Sequence, residues 1–218
     1  MKKIFHVVLA LAVFGAATAF AAREVGSKDF SGWMEDYGSL TYVEEHNAFL
    51  FSNEEKRGHY EKVIFDGITV YAKNAKANGE MADKSTDYLT AGVRTMLDEK
   101  GVLTTEPGPN VLRYHMAITG VEKSKEDLKA HNVIPVSALF RGAKAATGNL
   151  NTYIDAMFEA EMVDSITGER IMAIVRKGIA ETEKKSGDKL EFEDVKPTLD
   201  IWLEAYSKTL DEFLAKRK

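Results

Sequence analysis

Residues 159–178 read EAEMVDSITGERIMAIVRKG, and this stretch decides the fold. Two runs of strand-forming residues, 152–164 and 169–181, flank Ser165-Ile166-Thr167-Gly168. A type I turn closed by a glycine in the left-handed region is a common hairpin of that length. Pairing Asp164 with Glu169 places Ile154, Phe158, Ala160 and Met162 on one face with Ile179, Val175, Ala173 and Ile171. The other face then carries Glu159 and Glu161, within diagonal reach of Arg176 and Arg170. A slip of one residue would turn those charges into the core, so the pattern predicts a well-determined register.

Working outward, the stretch KVIFDGITVYA (62–72) is rich in β-branched and aromatic residues on both faces, the pattern of a strand covered on both sides. Tyr88, Leu89, Val93, Met96 and Leu97 recur at helical spacing within 80–100, and Gly101 is placed as a left-handed terminator. Gly92 inside that helix costs about 1 kcal/mol against Ala, which predicts close packing on a neighbour. Pro107-Gly108-Pro109 breaks the chain, and 111–121 alternates with Leu112, Tyr114, Met116 and Ile118 on one face. Pro135 opens an expected helix over 136–146. A last helix over 195–215 carries Val195, Leu199, Trp202, Tyr206, Leu210 and Phe213 as an apolar stripe, with Pro197 in its first turn.

Upstream, residues 23–60 read as irregular, with Trp33, Tyr37, Phe49 and Phe51 as anchors and 48–52 as a short edge strand. The expected order is β-α-β-α-β-β-α. That is an α+β fold: one small mixed, largely antiparallel sheet with helices packed on it. The organisation read from the sequence is a signal peptide (1–21), an irregular N-terminal extension (22–60) and a core domain (61–218).

The leader rests on Lys2 and Lys3, an apolar run from Ile4 to Phe14, and Ala19-Phe20-Ala21 as the small-x-small cleavage pattern. Cleavage after Ala21 leaves 197 of the 218 residues, a length that supports one core. The expected location is the periplasm. The sequence contains no cysteine, which removes disulfides, thiol chemistry and Cys-ligated zinc. With no Cys beside the cut, the expectation is a product with neither a lipid anchor nor a membrane span. The chain is acidic, with 29 basic against 34 acidic residues and its lysines and arginines scattered, so nucleic acid is not an expected partner.

A search for chemistry gives no catalytic, cofactor or metal site. His46, His59, His115 and His131 form no H-x-x-x-H, H-x-H or HExxH pair. Glu159 and Glu161 are explained by Arg170 and Arg176 without catalysis. Asp66 sits in an otherwise apolar strand, where a carboxylate must find a partner, and it reads best as marking a bulge with Gly67. His115 is expected to pair with a carboxylate. There is no G-x-S-x-G elbow, Ser186 to Lys189 matches S-x-x-K only in a polar turn, and Gly142 to Gly148 lacks the phosphate-loop ending.

Several stretches taken together carry a resemblance: DFSGWMEDYGSL (29–40), YEKVIFDGITVYA (60–72), EPGPNVLRYHMAITGV (106–121), AATGN (145–149), EAEMVDSITGERIMAIVRKG (159–178) and FEDVKPTLDIWLEAYSKTL (192–210). In this order they resemble the bacterial domain of unknown function family 3313. The PGP-x-VL and D-S-x-TGE segments are the more specific parts. The resemblance implies an envelope protein and supplies no activity. Many members carry a lipid-bearing Cys after the signal, where this chain has Ala21-Ala22.

The expected function is therefore a non-catalytic periplasmic module that binds another envelope protein, with no cofactor, through 23–60 and 122–150. One alternative is a binder of a small envelope ligand, such as a lipid or glycan fragment, in a groove between the sheet and the 136–146 helix, lined by Trp33, Tyr37 and Phe140. A further alternative is a metal-assisted hydrolase that brings some of His46, His59, His115 and Asp66 together.

Overall fold

The 159–178 hairpin forms the centre of a six-stranded sheet. The computed structural model describes residues 25–71, 80–125, 152–182 and 191–215. In chain order the strands are β1 (Thr41–Val43), β2 (Ala48–Ser52), β3 (Lys62–Val70), β4 (Val111–Lys125), β5 (Thr152–Asp164) and β6 (Arg170–Thr182). The helix α1 (Glu80–Glu99) joins β3 to β4, and α2 (Phe192–Ala215) follows β6. Strand order across the sheet is β1-β2-β6-β5-β4-β3. Only β3 and β4 pair in parallel, as a β-α-β crossover requires. The sheet is thus mixed and largely antiparallel, as its sequence predicts. The expected helix over 136–146 falls outside the described residues.

Two expectations need correction. The 22–60 stretch is not merely an irregular extension, because β1 and β2 lie within it and β2 pairs antiparallel with β6 from Ala48↔Arg176 to Ser52↔Met172. The expected strand over 48–52 forms, yet it is an interior strand, with β1 outside it.

The hairpin register also differs. Asp164 N–H bonds to the Glu169 carbonyl and Gly168 N–H to the Asp164 carbonyl, with Gly168 at φ +73°, so the turn is the one expected. The register then shifts between Val163↔Arg170 and Met162↔Met172, leaving Ile171 as an extra residue. Beyond this bulge every pair moves by one. Phe158 faces Arg176 and Ala160 faces Ile174, while Val175 and Ala173 turn to the face of Glu159 and Glu161.

That displacement gives the sheet two apolar sides. The main core lies under α1 and α2. It joins Leu112, Tyr114, Met116, Ile118, Phe158, Ala160 and Ile174 to Leu89, Val93, Leu97, Trp202, Leu203 and Tyr206. Trp202 meets Phe158 edge-to-face at 4.9 Å. Gly92 allows the helices to touch: a Cβ built there would lie 2.6 Å from a methyl of Leu203. The second cluster lies on the opposite face and comprises Val25, Met34, Met157, Ala173 and Val175, packed with Phe30, Trp33, Tyr37, Leu40, Phe49 and Phe51.

Local chemistry sets the element ends. At the end of α1, Gly101 (φ +66°) donates to Asp98 and Val102 donates to Leu97, a Schellman arrangement that satisfies two terminal carbonyls. At the start of α2, Asp194 Oδ2 accepts from Glu191 N–H at 2.8 Å, which starts the helix at Phe192 rather than at 195. Pro197 therefore sits in the second turn and not the first, where its missing N–H removes one helical bond.

The outer edge of β3 is covered. Val63 bonds through its N–H to Val102 and through its carbonyl to Thr104. Arg94 Nη2 donates to the Phe65 carbonyl at 3.0 Å, and Ile68 N–H donates to Thr90 Oγ1 at 3.0 Å. Between them Asp66-Gly67 forms the expected bulge, with Gly67 at φ +94°.

At one end of the sheet the two motif segments dock on each other. Ser165 Oγ accepts from Gly108 N–H and donates to the Gly108 carbonyl, both at 3.1 Å. Ser165 N–H bonds to Val111. Asp164 accepts from Ile166 N–H, from the N–H and hydroxyl of Thr167, and from Tyr60 Oη. PGP-x-VL and D-S-x-TGE are thus explained as one structural corner.

Candidate functional site

Strand alternation puts Arg113, His115 and Ala117 of β4 on the face away from the helices, with Glu161 opposite His115 and Glu159 opposite Ala117. The result is a polar row that crosses the sheet. At one end Asp66 accepts from Arg113 Nε at 2.9 Å and lies 3.0 Å from His115 Nδ1. Farther along, Arg170 Nη2 lies 3.1 Å from Glu161 Oε2. Arg170 Nη1 donates in turn to the Asp36 carbonyl at 2.7 Å, on the N-terminal segment.

Glu159 departs from expectation. It is fully buried and meets the N-terminal segment instead of Arg176. Its Oε1 accepts from Ser31 N–H at 2.9 Å and its Oε2 from Tyr37 Oη at 2.5 Å. The same Tyr37 oxygen accepts from Gly32 N–H at 2.9 Å and Met34 N–H at 3.1 Å, which shapes the loop that covers the carboxylate. Burial, then the bond to Glu159, pushes the Tyr37 phenol above its ordinary pKa and keeps it a proton donor. Arg176 lies on the helix side, opposite Phe158, where burial lowers its pKa.

Of the four residues weighed for a metal-assisted hydrolase, only His115 and Asp66 meet. His46 ends a short 3-10 turn, Glu44–His46, between β1 and β2, and His59 ends another, Arg57–His59, before β3. His131 is outside the described residues. Among the described residues no group of three or more His, Cys, Asp or Glu side chains has the geometry to hold a metal.

The 136–146 helix that would form the other wall of the expected groove lies outside the described residues, and Trp33 and Tyr37 are partly buried. They pack into the second cluster, where Phe30 stacks on Tyr37 at 4.5 Å and meets Phe49 edge-on at 4.9 Å. Phe140, Ser186 and Lys189 lie outside the described residues, as does the 126–150 part of the expected contact segment 122–150. The pairing of Glu161 with Arg170 was legible in the sequence. The burial of Glu159 was not, and its signal is that a correctly bulged register sets it opposite Val175, an apolar residue on the supposedly polar face.

The row is partly open to water: the Arg113 and Asp66 side chains retain 44% and 35% of their exposure, against 18% for Arg170. Exposed pairs of this kind contribute about 0–1 kcal/mol to stability, so the fold does not depend on them. They do present a fixed order of charge: acid, base, imidazole, acid, base. Among the described residues no helix is long and apolar enough to cross a membrane.

The model of a family described as protein of unknown function (DUF3313) matches residues 29–206. An uncharacterized lipoprotein of Escherichia coli K12, YdcL, is 25% identical over 203 residues, covering 90% of this chain and 91% of the relative. Among solved structures the chain is distantly similar to the PelC dodecamer of Paraburkholderia phytofirmans, with 10% identity, TM-score 0.36 and coverage of 76% of this chain and 95% of that one. It is likewise distantly similar to a DUF4136 family protein of Bacteroides thetaiotaomicron, with 10% identity, TM-score 0.37 and coverage of 80% and 95%.

Proposed function

The chain belongs to the DUF3313 family, and from that premise we propose that it is an exported, non-catalytic module of the bacterial envelope. Its role is to bind another envelope protein through the open part of the polar row on β3, β4 and β5. An envelope location is supported by the leader pattern in residues 1–21 and by the lipoprotein description of the E. coli relative. That relative's description implies a lipid anchor, whereas the 218 residues of this chain include no cysteine to accept one.

The observation that carries the reading is the row itself. Asp66, Arg113, His115, Glu161 and Arg170 are tied to one another or to the backbone of the N-terminal segment at Asp36. Such internal engagement fixes a charge pattern for recognition.

A charge swap tests this. In Asp66→Arg with Arg113→Asp the ion pair is kept and its direction reversed. The full chain carrying the swap is used to capture partners from envelope extract, beside the unchanged chain and a control swap of Glu204→Lys with Lys208→Glu on α2, an exposed pair at 2.7 Å. The expected result is a discrete partner lost only with the sheet swap. A partner retained by both swaps, or no reproducible partner at all, overturns the reading.

A further inference from the structure

We infer that residues 25–40 form a strap that opens as a unit of its own, uncovering β2, β5 and β6 while the helix-side core stays folded. The segment adds no strand to the sheet. Its regular structure is one 3-10 turn, Ser27–Asp29, and its backbone-to-backbone bonds are local, such as Asp29 to Gly26 and Leu40 to Tyr37. The hydrogen bonds that fix it to the sheet run through side chains. Asn47 Oδ1 accepts from Val25 N–H, Glu159 from Ser31 and Tyr37, while Arg170 donates to Asp36 and Tyr71 to Gly32. A cover held without a main-chain ladder lifts without unpairing any strand.

Glu159 itself adds little to the closure. With the strap on, its carboxylate accepts two bonds from the strap; with the strap off, water supplies them. Such an exchange contributes little net, since desolvation of the carboxylate offsets most of what the new bonds supply. An apolar residue at 159 would seal the layer more firmly. The two apolar clusters also lie on opposite faces of the sheet, so opening the second leaves the first intact.

The two tryptophans report on the two layers separately. Trp33 belongs to the strap cluster and Trp202 to the main core. Full-length chains with Trp202→Phe or Trp33→Phe each retain one reporter for a urea titration. The strap account expects Trp33 to change at lower urea and with a shallower slope than Trp202. Hydrogen exchange on the unaltered chain provides a second readout: strap amides should exchange through a local opening, and β4 and β5 only through global unfolding. Tyr37→Phe leaves the buried Glu159 oxygen and the Gly32 and Met34 N–H groups without their partner in the closed state, and should raise the strap opening constant by about tenfold or more while leaving exchange in β4 and β5 unchanged. Coincident Trp transitions, together with strap amides that exchange only on global unfolding, would overturn the inference.

Discussion

Gly92 and Leu203 give the sharpest test of how α1 meets α2. A Cβ at position 92 would lie 2.6 and 2.7 Å from the two methyls of Leu203 and 3.3 Å from its Cγ. Two effects oppose each other in Gly92→Ala. The helix gains about 1 kcal/mol by exchanging glycine for alanine. Forcing a methyl into a packed seam costs about 1–3 kcal/mol. Because both Leu203 methyls are met at once, rotating one away presents the other, and the steric effect wins. The expected net loss is about 1 kcal/mol. Leu203→Ala alone opens a cavity and should lose about 2–5 kcal/mol. In that background the new methyl has room, so Gly92→Ala should stabilise by about 1 kcal/mol. The sign reversal is a coupling of about 2 kcal/mol, within the range for touching residues. Urea unfolding followed by Trp202 fluorescence and far-UV circular dichroism measures all four corners. If Gly92→Ala stabilises equally in both backgrounds, the seam is not tight and the reasoning fails.

Three further outcomes follow from the corner and the covered edge. Ser165→Ala removes both bonds to Gly108 and strands its N–H, and should cost about 1–3 kcal/mol in urea unfolding. Asp164 is held below the usual carboxylate range by the Thr167 N–H first, with Ile166 and Tyr60 adding to the effect. Its contribution is therefore present above the unfolded pKa of about 4 and is lost as pH falls through the lower folded value; Asp164→Asn should flatten the stability profile below about pH 4 when unfolding is measured across that window. Replacing Arg94 by Ala together with Thr90 by Val uncovers the Phe65 carbonyl and Ile68 N–H, and should produce concentration-dependent self-association in light scattering, as for other unprotected edges.

Most of the fold was legible because its signals are periodic. The hairpin turn, α1 with its Gly101 end, the Asp66-Gly67 bulge and the helical stripe of α2 were each readable from local patterning. The register beyond Ile171 was not. A bulge keeps both flanking patterns intact and changes only their phase, so alternation on either side cannot reveal it. The strap was equally hidden. Its aromatic residues carry no period, because they fill gaps above a sheet instead of lining one face of a helix or strand. Missing the bulge also hid Glu159, since the uncorrected register pairs its face with charges that lie elsewhere.

The central claim is that the open polar row of β3, β4 and β5 contacts another envelope protein. Site-specific photo-crosslinking tests it most directly, with a photoreactive amino acid placed at Arg113 in one full-length chain and at Glu204 on α2 in another, both exported in bacterial cells. The account predicts a discrete adduct of fixed mass from position 113 and none of that mass from position 204. An adduct from position 204 with none from 113, or the same adduct from both, would contradict it.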